Sequence, residues 1–155
     1  MTRRLIGALA IITTLLLSGC GNDYGVDQYG QKVAAERLDK QWLVVNYWAE
    51  WCGPCRTEIP ELNALSEQLK GQNVGVFGVN FDNVQGAELK DASDKLGIKF
   101  TVLAQNPDGI FDIPRSEALP VTYIIDDKGK VREQLMGEQT AQGVLAKLKI
   151  GRAHV

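Results

Sequence analysis

Apolar positions recur along this chain with two different periods, and the switches between them outline its elements. Leu43-Val44-Val45-Asn46-Tyr47-Trp48 is a short run rich in β-formers and predicts a buried strand. Apolar residues then fall at Ile59, Leu62, Leu65 and Leu69, a helical spacing that predicts a helix over 55–69, kinked at Pro60. Residues 74–81 predict a second strand, 87–96 an amphipathic helix closed by Gly97, and 101–104 a short strand. Asn106-Pro107-Asp108-Gly109 is turn chemistry. Residues 121–125 and 131–136 predict two strands joined through Asp126-Asp127-Lys128-Gly129, a hairpin signal. Thr140 is placed to cap a last helix whose apolar side carries Val144, Leu145 and Leu148. A parallel βαβα(β) half followed by a hairpin and a closing helix implies an α/β fold, a mixed central sheet flanked by helices on both faces.

The two ends break this pattern. Residues 1–19 read as an export signal: Arg3 and Arg4 open it, Leu5 to Leu17 form an apolar run, and Leu17-Ser18-Gly19 precede Cys20. Such a run is too short to span a bilayer stably and suits a signal peptide. The Leu-Ser-Gly-Cys sequence resembles a bacterial lipobox, which implies cleavage before Cys20 and lipid on its thiol; the alternatives are a plain signal peptide or a short anchor helix with an incidental cysteine. Residues 21–30, Gly- and Asx-rich with almost no apolar run, read with Cys20 as a flexible tether to a domain at 31–149. Gly21 directly after the lipidated position leans towards outer-membrane sorting in a two-membrane bacterium. Residues 150–155 (IGRAHV) interrupt the last helix with a glycine and continue without pattern. They back-translate to the start of a common sequencing-adapter oligonucleotide, so they read as a non-native tail. A genomic stop codon directly after Val155 would contradict this. His154, the single histidine, is therefore given no catalytic role.

Composition narrows the chemistry. With 45% hydrophobic and 23% charged residues, the 155-residue chain suits one ordinary globular domain. Without the leader it carries 15 Lys and Arg against 19 Asp and Glu, a net charge of −4. An acidic chain with no basic run argues against nucleic-acid binding. Three cysteines and one histidine are too few for the common four-cysteine or two-cysteine, two-histidine zinc sites. No metal or cofactor is expected.

The strongest chemical signal is Trp51-Cys52-Gly53-Pro54-Cys55, after a strand and at the start of a helix. Two intervening residues bring both thiols to the first helical turn, where backbone N–H groups and the helix dipole stabilise a thiolate. Pro54 stands where a missing N–H costs little. Cys52 is then the exposed attacking thiolate, and Cys55, a turn further in, resolves the mixed disulfide. A purely structural Cys52–Cys55 bridge or a zinc half-site is the competing reading, the second lacking its other half.

Trp48 to Cys55 resembles the thioredoxin active-site segment almost residue for residue. Leu119-Pro120-Val121 resembles the segment that carries the family's cis-proline opposite the dithiol; outside that likeness, Pro120 marks a strand start. Gly137, after Met136, matches the glycine that lines the family's substrate groove. The resemblance spans roughly residues 31–149. Within the superfamily, the anchor, the helical insert before Thr101 and the stretch from Pro120 to Lys130 resemble the TlpA/ResA-like extracytoplasmic thioredoxins. It implies that Leu119 pairs its backbone with a substrate chain. Asn46 occupies the position of the buried aspartate beneath the dithiol of soluble thioredoxins, and asparagine does not titrate. Glu58, three residues after Cys55, matches the active-site glutamate of ResA-like proteins. Partial burial would raise its pKa and let it exchange a proton with Cys55; otherwise it is a solvated helix glutamate. Glu50 reads as a surface residue, and Trp51 as packing beside Cys52.

The resemblance implies a lipid-anchored thiol–disulfide oxidoreductase outside the cytoplasm, periplasmic where there are two membranes, with a redox-active Cys52–Cys55 pair. Gly-Pro between the cysteines points to a net reductase of exported proteins, supplied with electrons by a DsbD/CcdA-type membrane donor. Cytochrome c maturation, by reduction of apocytochrome c, and non-catalytic binding of unfolded exported chains are the alternatives. A peroxidase is disfavoured, because peroxiredoxins lack this CxxC at the helix start.

Overall fold

A computed structural model describes residues 21–154. The export signal and Cys20 lie outside the described residues. Five strands form one mixed sheet: β1 (Trp42–Trp48), β2 (Val74–Asn80), β3 (Thr101–Leu103), β4 (Val121–Ile125) and β5 (Val131–Met136), in the order β3-β2-β1-β4-β5. β1 pairs in parallel with β2, and β2 with β3; β4 runs antiparallel to both β1 and β5. Among the described residues, four α-helices and a 3-10 turn at Ala35–Arg37 complete the fold: α1 (Gly53–Gln68), α2 (Gly86–Lys95), the short α3 (Asp108–Phe111) and α4 (Ala141–Ala153). α1 continues unbroken through Pro60. α4 begins on a Thr140 side chain that accepts the Gly143 N–H at 3.1 Å, as the capping residue predicts. It runs through Gly151 to Ala153, so that glycine does not end the helix; a Cβ there would lie 3.1 Å from the Trp42 ring.

β1 is central and buried along its whole length, and its alternation divides the core. Val44 and Trp48 face the cluster built with Ile59, Leu62, Val144 and Leu148, so the long helices share this side. Leu43, Val45 and Tyr47 face the other cluster, with Tyr24, Val33, Leu38 and Phe111. Helices on both faces were expected. The second face carries the four-residue α3, and the N-terminal segment covers it as well.

This corrects the reading of 21–30 as a tether. Tyr24 is only 2% exposed; its hydroxyl donates to Asp39 Oδ1 at 2.7 Å, and its ring stacks on Phe111. Gln28 is buried against edge strand β3, donating to Phe100 O and accepting from Val102 N through its side chain, while its backbone N–H donates to Val102 O. The segment thus pairs with the edge strand through one antiparallel bridge, Asp27 opposite Leu103. The physical reason is that an edge strand offers unpaired backbone groups which a polar segment can satisfy without any apolar run.

Gly78 is a buried and closely packed point of β2. A Cβ there would stand 3.0 Å from both the Phe100 ring and Trp48 Nε1, and 3.2 Å from Val102. Gly78→Ala is expected to destabilise by about 1–3 kcal/mol, seen as a lower urea midpoint at unchanged m.

Candidate active site

The dithiol stands where β1 turns into α1. Cys52 is the N-cap of α1, with extended backbone; its Sγ accepts the Cys55 N–H at 3.2 Å, and Pro54 lies in the first turn. Cys52 and Cys55 are joined in a disulfide. Cys55 is fully buried, whereas Cys52 retains 4% exposure. Cys52 is thus the more accessible sulfur, but it is not freely exposed in the oxidised state. Both sulfurs belong to the apolar cluster against which Leu119 packs.

The Leu119–Pro120 bond is cis. Pro120 O accepts the Gly137 N–H at 2.9 Å, which ties the cis-proline loop to the chain after β5. Gly137 has φ +79, a conformation that favours glycine, with open space where a Cβ would stand. The two segments expected to line a groove are therefore adjacent and joined.

Glu58 lies on the buried side of α1, one turn after Cys55, and is 1% exposed. Its Oε1 accepts from Asn46 Nδ2 at 2.6 Å, and its Oε2 accepts the Gln139 backbone N–H at 3.0 Å. Asn46 Nδ2 also donates to Thr122 Oγ1 at 3.0 Å, while Asn46 Oδ1 has no partner among the described residues. This polar network joins β1, α1, β4 and the loop before α4. Burial pushes the Glu58 carboxyl up to about 7, with the Glu138 charge adding to the rise; the Gln139 and Asn46 hydrogen bonds oppose it. The sequence expectation was partial burial; here it is nearly complete, because position 58 continues the Leu62, Leu65 stripe.

Trp51 is 66% exposed, with its indole N–H donated to Asp82 Oδ2 at 2.8 Å, so the loop after β2 holds the ring. Glu50 is a surface residue paired with Lys95 at 3.0 Å. A hollow of about 440 Å³ opens beside the loop leading to Pro120, lined by Tyr47, Phe81, Asn106, Arg115 and Tyr123. His154 sits at the far end of α4 from this site. Sequence reasoning missed Asp82, Thr122 and Gln139. Gln139 contributes only its backbone N–H, for which no sequence signal exists.

The chain is similar to known thioredoxin-like proteins. The AhpC/TSA family profile matches residues 16–134. "Thiol-disulfide oxidoreductase ResA" of Bacillus thuringiensis is 32% identical over 123 residues, covering 79% of this chain and 70% of the relative. "Thioredoxin-like protein YneN" of Bacillus subtilis is 28% identical over 123 residues, covering 78% and 71%. In fold, the crystal structure of a thiol:disulfide interchange protein from Chlorobium tepidum superimposes with a TM-score of 0.67 at 24% identity, over 81% of this chain and 90% of that one. StoA from Bacillus subtilis superimposes with a TM-score of 0.61 at 17% identity, over 77% and 91%.

Proposed function

Since the chain belongs to the AhpC/TSA family and is a thioredoxin-like thiol–disulfide oxidoreductase, we propose that it is held on the extracytoplasmic side of a bacterial membrane by lipid on Cys20 and reduces disulfides of exported proteins. The supporting observation is the redox pair at the head of α1 with a buried carboxyl of pKa about 7 one turn below it.

The reduced Cys52 thiolate attacks one sulfur of a substrate disulfide. A Cys52–substrate disulfide forms and one substrate thiolate leaves. The Cys55 thiol gives its proton to the Glu58 carboxylate, and the resulting thiolate attacks Cys52 Sγ. The Cys52–Cys55 disulfide closes and the second substrate thiolate leaves, so two electrons have passed to the substrate. Glu58 supplies the proton acceptor that Asn46 cannot. Leu119 offers its backbone to the substrate chain across the cis-Pro120 loop, with Gly137 leaving the groove open. A DsbD/CcdA-type donor returns the pair to the dithiol, because the exported compartment is oxidising on the whole.

Trapping tests this reading. Cys55→Ser in cells should accumulate exported proteins disulfide-linked to Cys52. A catch dominated by apocytochrome c would assign the chain to cytochrome c maturation, and a broad catch to general reduction. A chain that still binds exported proteins with both cysteines replaced would be a binding module instead. For the anchor, Cys20→Ala should move the protein from the membrane to the soluble fraction and remove the lipid mass from its N-terminal peptide.

A further inference from the structure

The docked N-terminal segment fixes where an anchor can leave the domain. Asn22 Nδ2 donates to Asp39 Oδ1 at 3.0 Å, and Tyr24 reaches the same carboxylate. A Cβ on Gly21 would lie 2.7 Å from Ala35 Cβ. Chain and body are therefore joined from residue 22 onwards, beside the residues that lead into β1. The dithiol follows the opposite end of β1. A two-residue leash extends at most about 7 Å, whereas a seven-residue strand spans about 23 Å, so the leash is too short to bring the point of anchorage to the dithiol end.

Charge divides along the same axis. The end at which β1 begins also holds the turn between β4 and β5, since Leu43 pairs with Ile125, and the last turns of α4, since Gly151 packs on Trp42. Lys40, Lys128, Lys130 and Lys149 are exposed there. A hollow of about 570 Å³ at this end is lined by Arg37, Lys70 and Lys99, with Glu67 among them. Of the carboxylates at this end, Asp39 is held by Tyr24 and Asn22, the exposed Glu67 and Lys70 offset each other and Asp126 pairs with Arg132, while Asp23, Glu36 and Asp127 are exposed. Around the dithiol the balance reverses. Asp82, Glu88, Glu117 and Glu138 are exposed against Arg56 and Arg115, and Glu50 is offset by Lys95. A chain with a net charge of −4 after the leader thus concentrates its cations at the end from which the anchor leaves.

We propose that this basic end rests on an anionic bilayer surface and that the dithiol faces away from the membrane. The inference rests on the lipid anchor at Cys20. Surface cations within a Debye length of anionic headgroups are attracted to them, and the acidic dithiol end is repelled. Substrates then approach from the compartment, and a donor must present its thiols well above the bilayer or meet a tilted domain.

The test uses the full lipidated chain, oxidised so that the Cys52–Cys55 pair is closed, in phosphatidylcholine vesicles with added phosphatidylglycerol and a headgroup quencher. Fluorophores are placed on Asp127→Cys at the basic end and on Glu117→Cys near the dithiol. The label at 127 should be quenched several-fold more than that at 117. Lys40→Glu, Lys130→Glu and Lys149→Glu together should abolish that difference while the lipid mass stays on Cys20. Equal quenching, or stronger quenching at 117, on a lipidated chain overturns the orientation alone. A persisting difference in the triple variant also overturns the electrostatic account. Absence of the lipid mass overturns the anchor and the orientation with it.

Discussion

Cys52→Ser is expected to lower the reduction of insulin disulfides by dithiothreitol-recycled protein on the order of 10³-fold or more, to the rate of dithiothreitol alone. The reason is positional. Only Cys52 retains exposure, and it caps α1, where the unsatisfied N–H groups and the helix dipole favour a thiolate. Cys55→Ser should lose turnover to a similar extent but differ in its products. It leaves the attacking sulfur in place, so a covalent Cys52–substrate adduct should accumulate, visible as a mass increase removed by reductant. Turnover retained by Cys52→Ser would show that the buried sulfur attacks on its own and would remove the division of labour drawn from the site.

Glu58→Gln is the second large effect, and its signature is a pH dependence. In the native chain the resolving step by Cys55 should accelerate as pH rises through about 7, where the carboxyl ionises and becomes able to accept a proton. Glutamine cannot do so. The step should slow by about tenfold to a hundredfold above pH 7, and the inflection should vanish from its profile, measured by stopped-flow decay of a preformed Cys52 mixed disulfide. Stability moves in the opposite sense. A carboxyl raised from 4.5 to about 7 binds its proton more tightly in the folded than in the unfolded chain. Its contribution is fully present below pH 4.5 and is lost as pH climbs through about 7, on the order of 3 kcal/mol in all. Glu58→Gln should therefore equal the native chain in urea unfolding at low pH and exceed it at pH 8. Glutamine fits the network, because Asn46 Oδ1 lacks a partner among the described residues and an amide rotation can present it to the new NH₂ group. A merely structural glutamate would change stability and leave the kinetic profile alone.

Much of this fold is legible in the chain because its central strands are buried on both faces, its edge strand β5 alternates between half-buried and exposed positions, and its helices carry apolar stripes. The runs at 43–48, 121–125 and 131–136 became β1, β4 and β5 with boundaries shifted by at most one residue. α1 begins at Gly53, two residues before the apolar period suggests, because a thiol cap and a proline define its start. The turn signal at 106–109 opens into α3, since Asn106 Oδ1 accepts the Asp108 N–H and starts a helical turn. The N-terminal segment was the main loss. Tyr24 and Gln28 are isolated in a polar stretch, and backbone pairing with an edge strand leaves no periodic mark. At the site, motif and spacing singled out the cysteines, and the family resemblance pointed to Pro120, Gly137 and Glu58. Thr122, Asp82 and the Gln139 N–H complete the arrangement, brought in by strand register and loop course. Neither is written in local sequence.

The claim that this chain exchanges disulfides through a Cys52 thiolate resolved by a buried Cys55 meets its most direct test in alkylation of the reduced protein. Brief exposure to iodoacetamide across a pH series, with peptide mapping by mass spectrometry, assigns rate and apparent pKa to each thiol. The account predicts modification at Cys52, with an apparent pKa below the ordinary thiol value of about 8.5, while Cys55 stays protected. Equal rates at the two sulfurs, or faster modification of Cys55, would contradict it.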